Sequence, residues 1–126
     1  MMRKVINTQS APAPIGPYNQ AIQAGDTLYV SGQIPLDPAT GELISSSIED
    51  ETKMVMRNLA AILNAADYTF AHIVKCSIFI KDMNDFSKIN AVYGEYFESD
   101  PPARETVEVS RLPKDVNVEI SCIAVR

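Results

Sequence analysis

The stretch PPARETVEVSRLPKDVNVEISC, residues 101–122, opens on two prolines and an arginine and then alternates polar and apolar residues in two runs separated by SRLPKD. Alternation with a period of two marks strands with one buried face, and a proline-containing break marks the turn between them. We read residues 103–109 and 116–125 as an antiparallel pair. With Val109 opposite Val116, Arg104 faces Ser121 and Thr106 faces Glu119, so Glu119 lies diagonal to Arg104. Parity matters more than the absolute register, because a slip of one residue turns a whole strand over. Val107, Val109, Val116, Val118, Ile120 and Cys122 define the core face, which leaves Arg104, Thr106, Glu108, Asn117, Glu119 and Ser121 on the other. Antiparallel sheets commonly keep one solvated side, so this polar set reads as ordinary surface until the rest of the chain is considered.

Working back from the prolines, Phe86, Ile89, Tyr93, Tyr96 and Phe97 form the buried stripe of a helix that DMND, residues 82–85, caps at its start. Gly94 weakens that helix by about 1 kcal/mol relative to alanine. IVKCSIFIK, residues 73–81, is a strand rich in β-branched side chains. Ile48, Val55, Leu59, Ile62, Leu63 and Ala66 are spaced for one face of a helix over about 47–66, and Ser46 with Glu49 reads as its capping box. A helix between two strands implies a crossover that leaves those strands parallel. Residues 21–24 and 27–34 flank Gly25-Asp26, a two-residue hairpin signal, and residues 3–6 form a short first strand. Between them APAPIGPYNQ, residues 11–20, holds three prolines and a glycine and must run as a loop, the kind of segment that often carries function.

The order is therefore β-β-β-α-β-α-β-β, an α+β fold with a mixed sheet and both helices on one face. Residues 1–126 read as one domain, without repeats or low-complexity linkers. The helices should cover Leu28, Val30, Gly32 and Ile34, with Val74, Cys76, Ile78 and Ile80. The free face then carries Tyr29, Ser31, Gln33, Ile73, Ser77 and Phe79 beside Arg104, Thr106 and Glu119. That mixture of apolar, aromatic and polar groups suits a subunit interface better than a purely solvated surface.

Composition narrows the function classes. At 126 residues and 46% hydrophobic content the chain can build one core, burying about two-thirds of the surface its unfolded form exposes. Sixteen acidic residues against eleven basic ones leave no broad positive surface for phosphates, so nucleic acid is not the expected partner. Cys76, Cys122 and the lone His72 have no metal-ligand spacing. No charged start with an apolar run precedes the first strand, and no stretch approaches about 18 consecutive apolar residues. The expectation is a cytoplasmic protein without membrane contact, its two thiols reduced.

Five stretches, in order, resemble the YjgF/Rid family of reactive-intermediate deaminases. They are APAPIGPYNQA (11–21), YVSGQIPLDPATGEL (29–43), IVKCSIFIKDMNDF (73–86), INAVYGEYF (89–97), and PPAR (101–104) with VEVSRLPKDVNVEI (107–120). The resemblance runs from about residue 5 to 126. It implies a chorismate-mutase-like fold assembled as a homotrimer, with three sheets forming an inner barrel and a ligand cleft between each pair of neighbours. It also implies hydrolysis of 2-imino acids such as 2-iminopropanoate and 2-iminobutanoate, formed from enamines that pyridoxal-phosphate dehydratases release, to 2-oxo acids and ammonia. No cofactor or metal is implied.

Carried over by the same resemblance, Arg104 matches the arginine that binds the substrate carboxylate and Glu119 the glutamate that positions or activates water. Tyr18 matches the aromatic residue near the cleft mouth, and Ser31, Gly32 and Asn90 match positions around the pocket. These assignments suit the chemistry. A planar guanidinium pairs with a carboxylate through two parallel hydrogen bonds, and a carboxylate can orient water and move its proton to the leaving amine. The chain departs from the family at Glu105, where a small residue is common, and at Thr106, where a cysteine is; a hydroxyl there still donates a hydrogen bond but supports no thiol chemistry. Two other functions stay open. A 2-oxo acid binding regulatory protein would use the same cleft, keeping Arg104 and needing no Glu119. A ribonuclease or translation inhibitor, an activity attributed to some relatives, is opposed by the acidic balance and the single histidine.

Overall fold

The computed structural model describes residues 3–126. Its elements follow the expected order: β1 (Arg3–Ile6), β2 (Ala21–Ala24), β3 (Thr27–Gln33), α1 (Ile48–Ala65), β4 (Ile73–Ile80), α2 (Phe86–Gly94), β5 (Ala103–Glu108) and β6 (Val118–Val125). The strands form one mixed six-stranded sheet in the order β1-β2-β3-β6-β4-β5. β4 and β5 are parallel neighbours joined through α2, and β6 is antiparallel to both β3 and β4. β3 and β4 thus run the same way on either side of it, as the crossover through α1 requires.

The local chemistry of the helices explains where they begin and which side they bury. α1 is capped by Ser47, whose Oγ accepts from the Asp50 amide at 3.0 Å, one residue later than the Ser46–Glu49 box. Ser46 instead donates its hydroxyl to Asp50 Oδ2 at 2.7 Å. Glu49, Asp50 and Glu51 then place negative charge in the first turn, where it opposes the helix dipole. Val55, Leu59, Ile62 and Leu63 are fully buried and meet Leu28, Ile78, Val118 and Ile120 of the sheet. Each such side chain contributes about 1.5–3 kcal/mol by leaving water. Both helices pack on this one sheet face, and α2 adds Ile89 and Tyr93 to the same core.

Three features differ from the sequence reading. First, β5 and β6 are not a hairpin: β4 lies between them, so Cys76 of β4 pairs with Arg104 on one side and with Cys122 on the other. The SRLPKD break is long enough to step over β4 because it is structured. Lys114 and Asp115 adopt left-handed φ values of 57°, and Leu112 and Val116 bury themselves against Ile34 in a satellite core. Val109 N donates to Ile80 O and Lys81 N to Asn117 O, which stitches the end of β4 to both flanks of the break.

Second, the parity read for β6 holds, with Val118, Ile120 and Cys122 buried, but that for β5 is inverted. Arg104 shares a row with the buried Cys76 and Cys122, and Thr106 with Ile78 and Ile120, so both point to the helix side. Val107 lies on the free face, 40% exposed, in the row of Phe79 and Glu119. Arg104 and Glu119 are therefore on opposite faces of the sheet.

Third, two bulges shift the alternation. One lies between Val30 and Gln33, and it turns Gln33, not Gly32, into the core. The other lies between Ile73 and Lys75, burying Ile73 and leaving Val74 exposed. A bulge inserts one residue into one strand, so a count by twos reads correctly up to it and inverted beyond it.

Candidate functional site

The free-face half of the site is built on the bulge in β3. Glu119, on β6, lies across from Phe79, and its side chain folds flat over Gly32. A Cβ at Gly32 would sit 2.6 Å from Glu119 Oε2 and 2.8 Å from Cδ. Only glycine leaves that space. Burial pushes the Glu119 carboxyl above its ordinary value, because removal from water disfavours the charged form. Ser31 stands beside Gly32 in sequence, and its hydroxyl donates to Asn19 O at 2.6 Å while its amide donates to Gln20 O. Its one proton is thus committed to the loop, and toward a ligand Ser31 can only accept.

That loop carries Tyr18, 45% exposed, whose hydroxyl oxygen accepts from the Ile15 amide at 3.2 Å and keeps its proton to donate. The loop is held in place by Gln20, a residue the sequence reading passed over. Buried to 2% exposure, its side chain accepts from Thr8 N and donates to the carbonyls of Thr8, Ala11 and Pro12. A buried amide saturated by loop backbone, together with the bonds from Ser31 to Asn19 and Gln20, converts a proline-rich segment into a fixed wall. A cleft lined by Pro12, Ile15, Tyr18, Gln20, Gly32 and Ile34 opens beneath it. The signal was present in the sequence as a glutamine directly after the Pro-Tyr-Asn turn, but a polar residue before a strand gives no sign of burial.

The helix-side half is built on β5, the edge strand. Arg104 Cζ lies 5.0 Å from the centroid of the Tyr93 ring and 5.7 Å from that of Phe86. Among the described residues it forms no ion pair. Asn90 lies on the same stripe of α2 as Phe86 and Tyr93, one turn after the first and one before the second. The hydroxyls of Tyr93 and Thr106 are buried without a hydrogen-bond partner, the former against the Cys76 thiol. Burial pushes the Cys76 thiol up, against the opposing pull of Tyr93 and Arg104. Glu105, on the opposite side of the pleat, bridges to Lys75 at 2.9 Å, and its carboxyl is held down by Ser77 first and Lys75 second.

Tyr18, Ser31, Gly32 and Glu119 are thus brought together on one side of the sheet, and Arg104, Thr106 and Asn90 on the other. Within one chain the two groups do not meet. Among the described residues no three His, Cys, Asp or Glu side chains are grouped as metal ligands.

A family model described as Endoribonuclease L-PSP matches residues 8–126. The chain is 55% identical over 123 residues to a RutC family protein of Pyrococcus horikoshii, covering 98% of each. A solved structure of the Rid family protein YyfA from Yersinia pestis, of unknown function, matches with a TM-score of 0.96 at 48% identity, covering 99% of this chain and all of that one, 100%. The chain belongs to the YjgF/Rid family. Among its Rid relatives, a Mus musculus protein named 2-iminobutanoate/2-iminopropanoate deaminase is 45% identical over 126 residues, covering 100% of this chain and 93% of the mouse one. In this Rid protein the residues named from the resemblance fall on two sides of the sheet, with Gln20 beside the loop of the first group and Phe86 and Tyr93 beside Arg104 in the second.

Proposed function

We propose that this Rid protein hydrolyses 2-imino acids to 2-oxo acids and ammonia in a cleft between two copies of the chain. The observation that carries the reading is Arg104: a guanidinium on an edge strand, beside two aromatic rings and, among the described residues, paired with no acid. Its N–H fork is free for a carboxylate. The relative named as an imine deaminase supports the substrate class.

In this reading Arg104 binds the carboxylate and so fixes the electrophilic C2 of the iminium. Glu119, as carboxylate, takes a proton from water as its oxygen bonds to C2, giving a carbinolamine. It returns the proton to the nitrogen, the C–N bond breaks, and the carbonyl forms as ammonia leaves with the hydroxyl proton. The substrate brings its own electron sink in the iminium, so the reaction is complete with water alone. The substrate supply would be an enzyme class that releases enamines, such as pyridoxal-phosphate dehydratases, and the two free buried thiols suit a reducing cytoplasm.

Because Arg104 and Glu119 lie on opposite faces, the cleft requires a neighbour whose Tyr18–Glu119 side meets the β5 edge. A closed homotrimer supplies three such clefts, and the exposed Val5, Tyr29 and Val107 of the free face supply apolar surface to bury. Sedimentation at micromolar concentration is expected to give a trimer; a monomer that turns over substrate would sink the shared-cleft argument.

The deciding assay couples a serine or threonine dehydratase to semicarbazide trapping of the imine. Added protein should outcompete the trap, and an unchanged trapping yield would overturn the reading. Gly32→Ala tests the placement of Glu119. The added methyl displaces the flexible end of a side chain, so the melting temperature should stay close to wild-type. Turnover should fall about 10- to 100-fold, the scale on which a displacement of about 1 Å acts at a reacting group. A ribonuclease fits less well. His72 has its Nδ1 occupied by the Thr69 amide at 2.9 Å, and the net charge of −5 repels phosphates.

A further inference from the structure

We infer that Tyr93 and, more weakly, Phe86 are positioning residues that hold the Arg104 guanidinium by its flat face so that its N–H edge stays open to the ligand. The inference rests on the proposed carboxylate role of Arg104. Arginines near a protein surface are usually oriented by an acid, which occupies the fork that a substrate carboxylate would need. Here no acid pairs with Arg104 among the described residues. Two rings of α2 lie within cation–π distance instead, at 5.0 and 5.7 Å. A ring attracts the cation through its quadrupole while leaving every N–H in the guanidinium plane unoccupied.

The clamp is itself anchored. Tyr93 is 5% exposed, packs its ring 4.8 Å from that of Phe97, and sets its hydroxyl against the Cys76 thiol. Cys76 is the β4 partner of Arg104 in the sheet. The chain of contact therefore runs from β4 through the tyrosine and back to the strand that carries the arginine, which leaves the ring little freedom to move. Phe86 is only partly buried, so its contribution is the smaller one.

The test is binding of 2-oxobutanoate by calorimetry to Tyr93→Leu, Tyr93→Phe and Phe86→Leu, each also placed in an Arg104→Ala background. Losing the Tyr93 ring should weaken binding roughly 2- to 30-fold, the range that a partly desolvated cation–π contact spans. Tyr93→Phe keeps the ring and should rescue affinity, and Phe86→Leu should weaken it less than Tyr93→Leu does. In Arg104→Ala the ring substitutions should have no further effect on residual binding, a non-additivity that a general packing defect would not produce. Should Tyr93→Leu fail to fold by circular dichroism, Phe86→Leu alone carries the cycle. Wild-type affinity in the ring variants, with binding lost in Arg104→Ala, would overturn the clamp and leave the proposed function standing. Wild-type affinity in Arg104→Ala itself would overturn both.

Discussion

Arg104→Lys should weaken binding of pyruvate or 2-oxobutanoate, by less than outright truncation of one partner of a desolvated charge pair, which costs about 2–5 kcal/mol, roughly 30- to several-thousand-fold. The charge is retained, so the loss isolates geometry. Lysine has no planar fork to pair with both carboxylate oxygens, and it replaces the delocalised cation that lies 5.7 and 5.0 Å from the ring centroids of Phe86 and Tyr93 by a compact ammonium. Turnover in the coupled dehydratase assay should fall at least as far. Calorimetry with 2-oxobutanoate settles the matter: unchanged affinity would leave Arg104 with only its contacts to the rings of α2. Tight 2-oxo acid binding by the wild-type chain, together with no turnover at all, would favour the ligand-binding protein over the enzyme.

Glu119→Gln should separate chemistry from binding. The amide keeps the size of the side chain lying over Gly32, so 2-oxo acid affinity should stay near wild-type. Turnover should drop roughly 100-fold or more, as expected when an acid/base group is lost. The pH profile adds a second signature. Burial raises the Glu119 carboxyl above its usual 4.5, and the proposed proton transfer needs the ionised form. Wild-type turnover should therefore fall on an acid limb displaced upward from that of an ordinary glutamate, and the variant should lack that limb. The sign for stability is the reverse. A carboxyl with a raised folded-state value stabilises the fold most when protonated, and that contribution is lost as pH rises through the raised value. At neutral pH Glu119→Gln should thus melt no lower than wild-type. A variant that is both less stable and fully active would contradict each part.

Element identities were legible in the sequence because they rest on local periodicity: the stripe of α1, the β-branched run of β4 and the glycine turn between β2 and β3 each read correctly. Neighbour relations were not, because nothing in ARETVEVSRLPKDVNVEISC marks that a strand more than twenty positions upstream will slide between its two halves. Read as a hairpin, that stretch put Arg104 and Glu119 together; with β4 inserted, they face apart. The bulges at Ser31-Gly32 and at Val74 defeated counting for the same reason, since an extra residue is specified by the partner strand and leaves no trace in its own alternation. The residues of the candidate site were found through resemblance, which carries positions without geometry. Gln20 and Tyr93 had to await the structure, because burial of a polar group and the orientation of a ring are tertiary facts.

The insertion of β6 between β3 and β4 also bears on how the chain reaches its fold. The central strand of the sheet is the last to be synthesised, and the two strands it joins have no direct pairing with one another. Until residues 118–125 arrive, β1-β2-β3 and β4-β5 are separate ribbons whose apolar helix-facing sides have only part of their cover. Contacts this distant in sequence make for slow closure and a partly formed sheet with open edges, the kind of species prone to aggregate. Destabilising changes in β6 should therefore appear as poor recovery of folded protein during expression before they appear as a lowered melting temperature in whatever does fold.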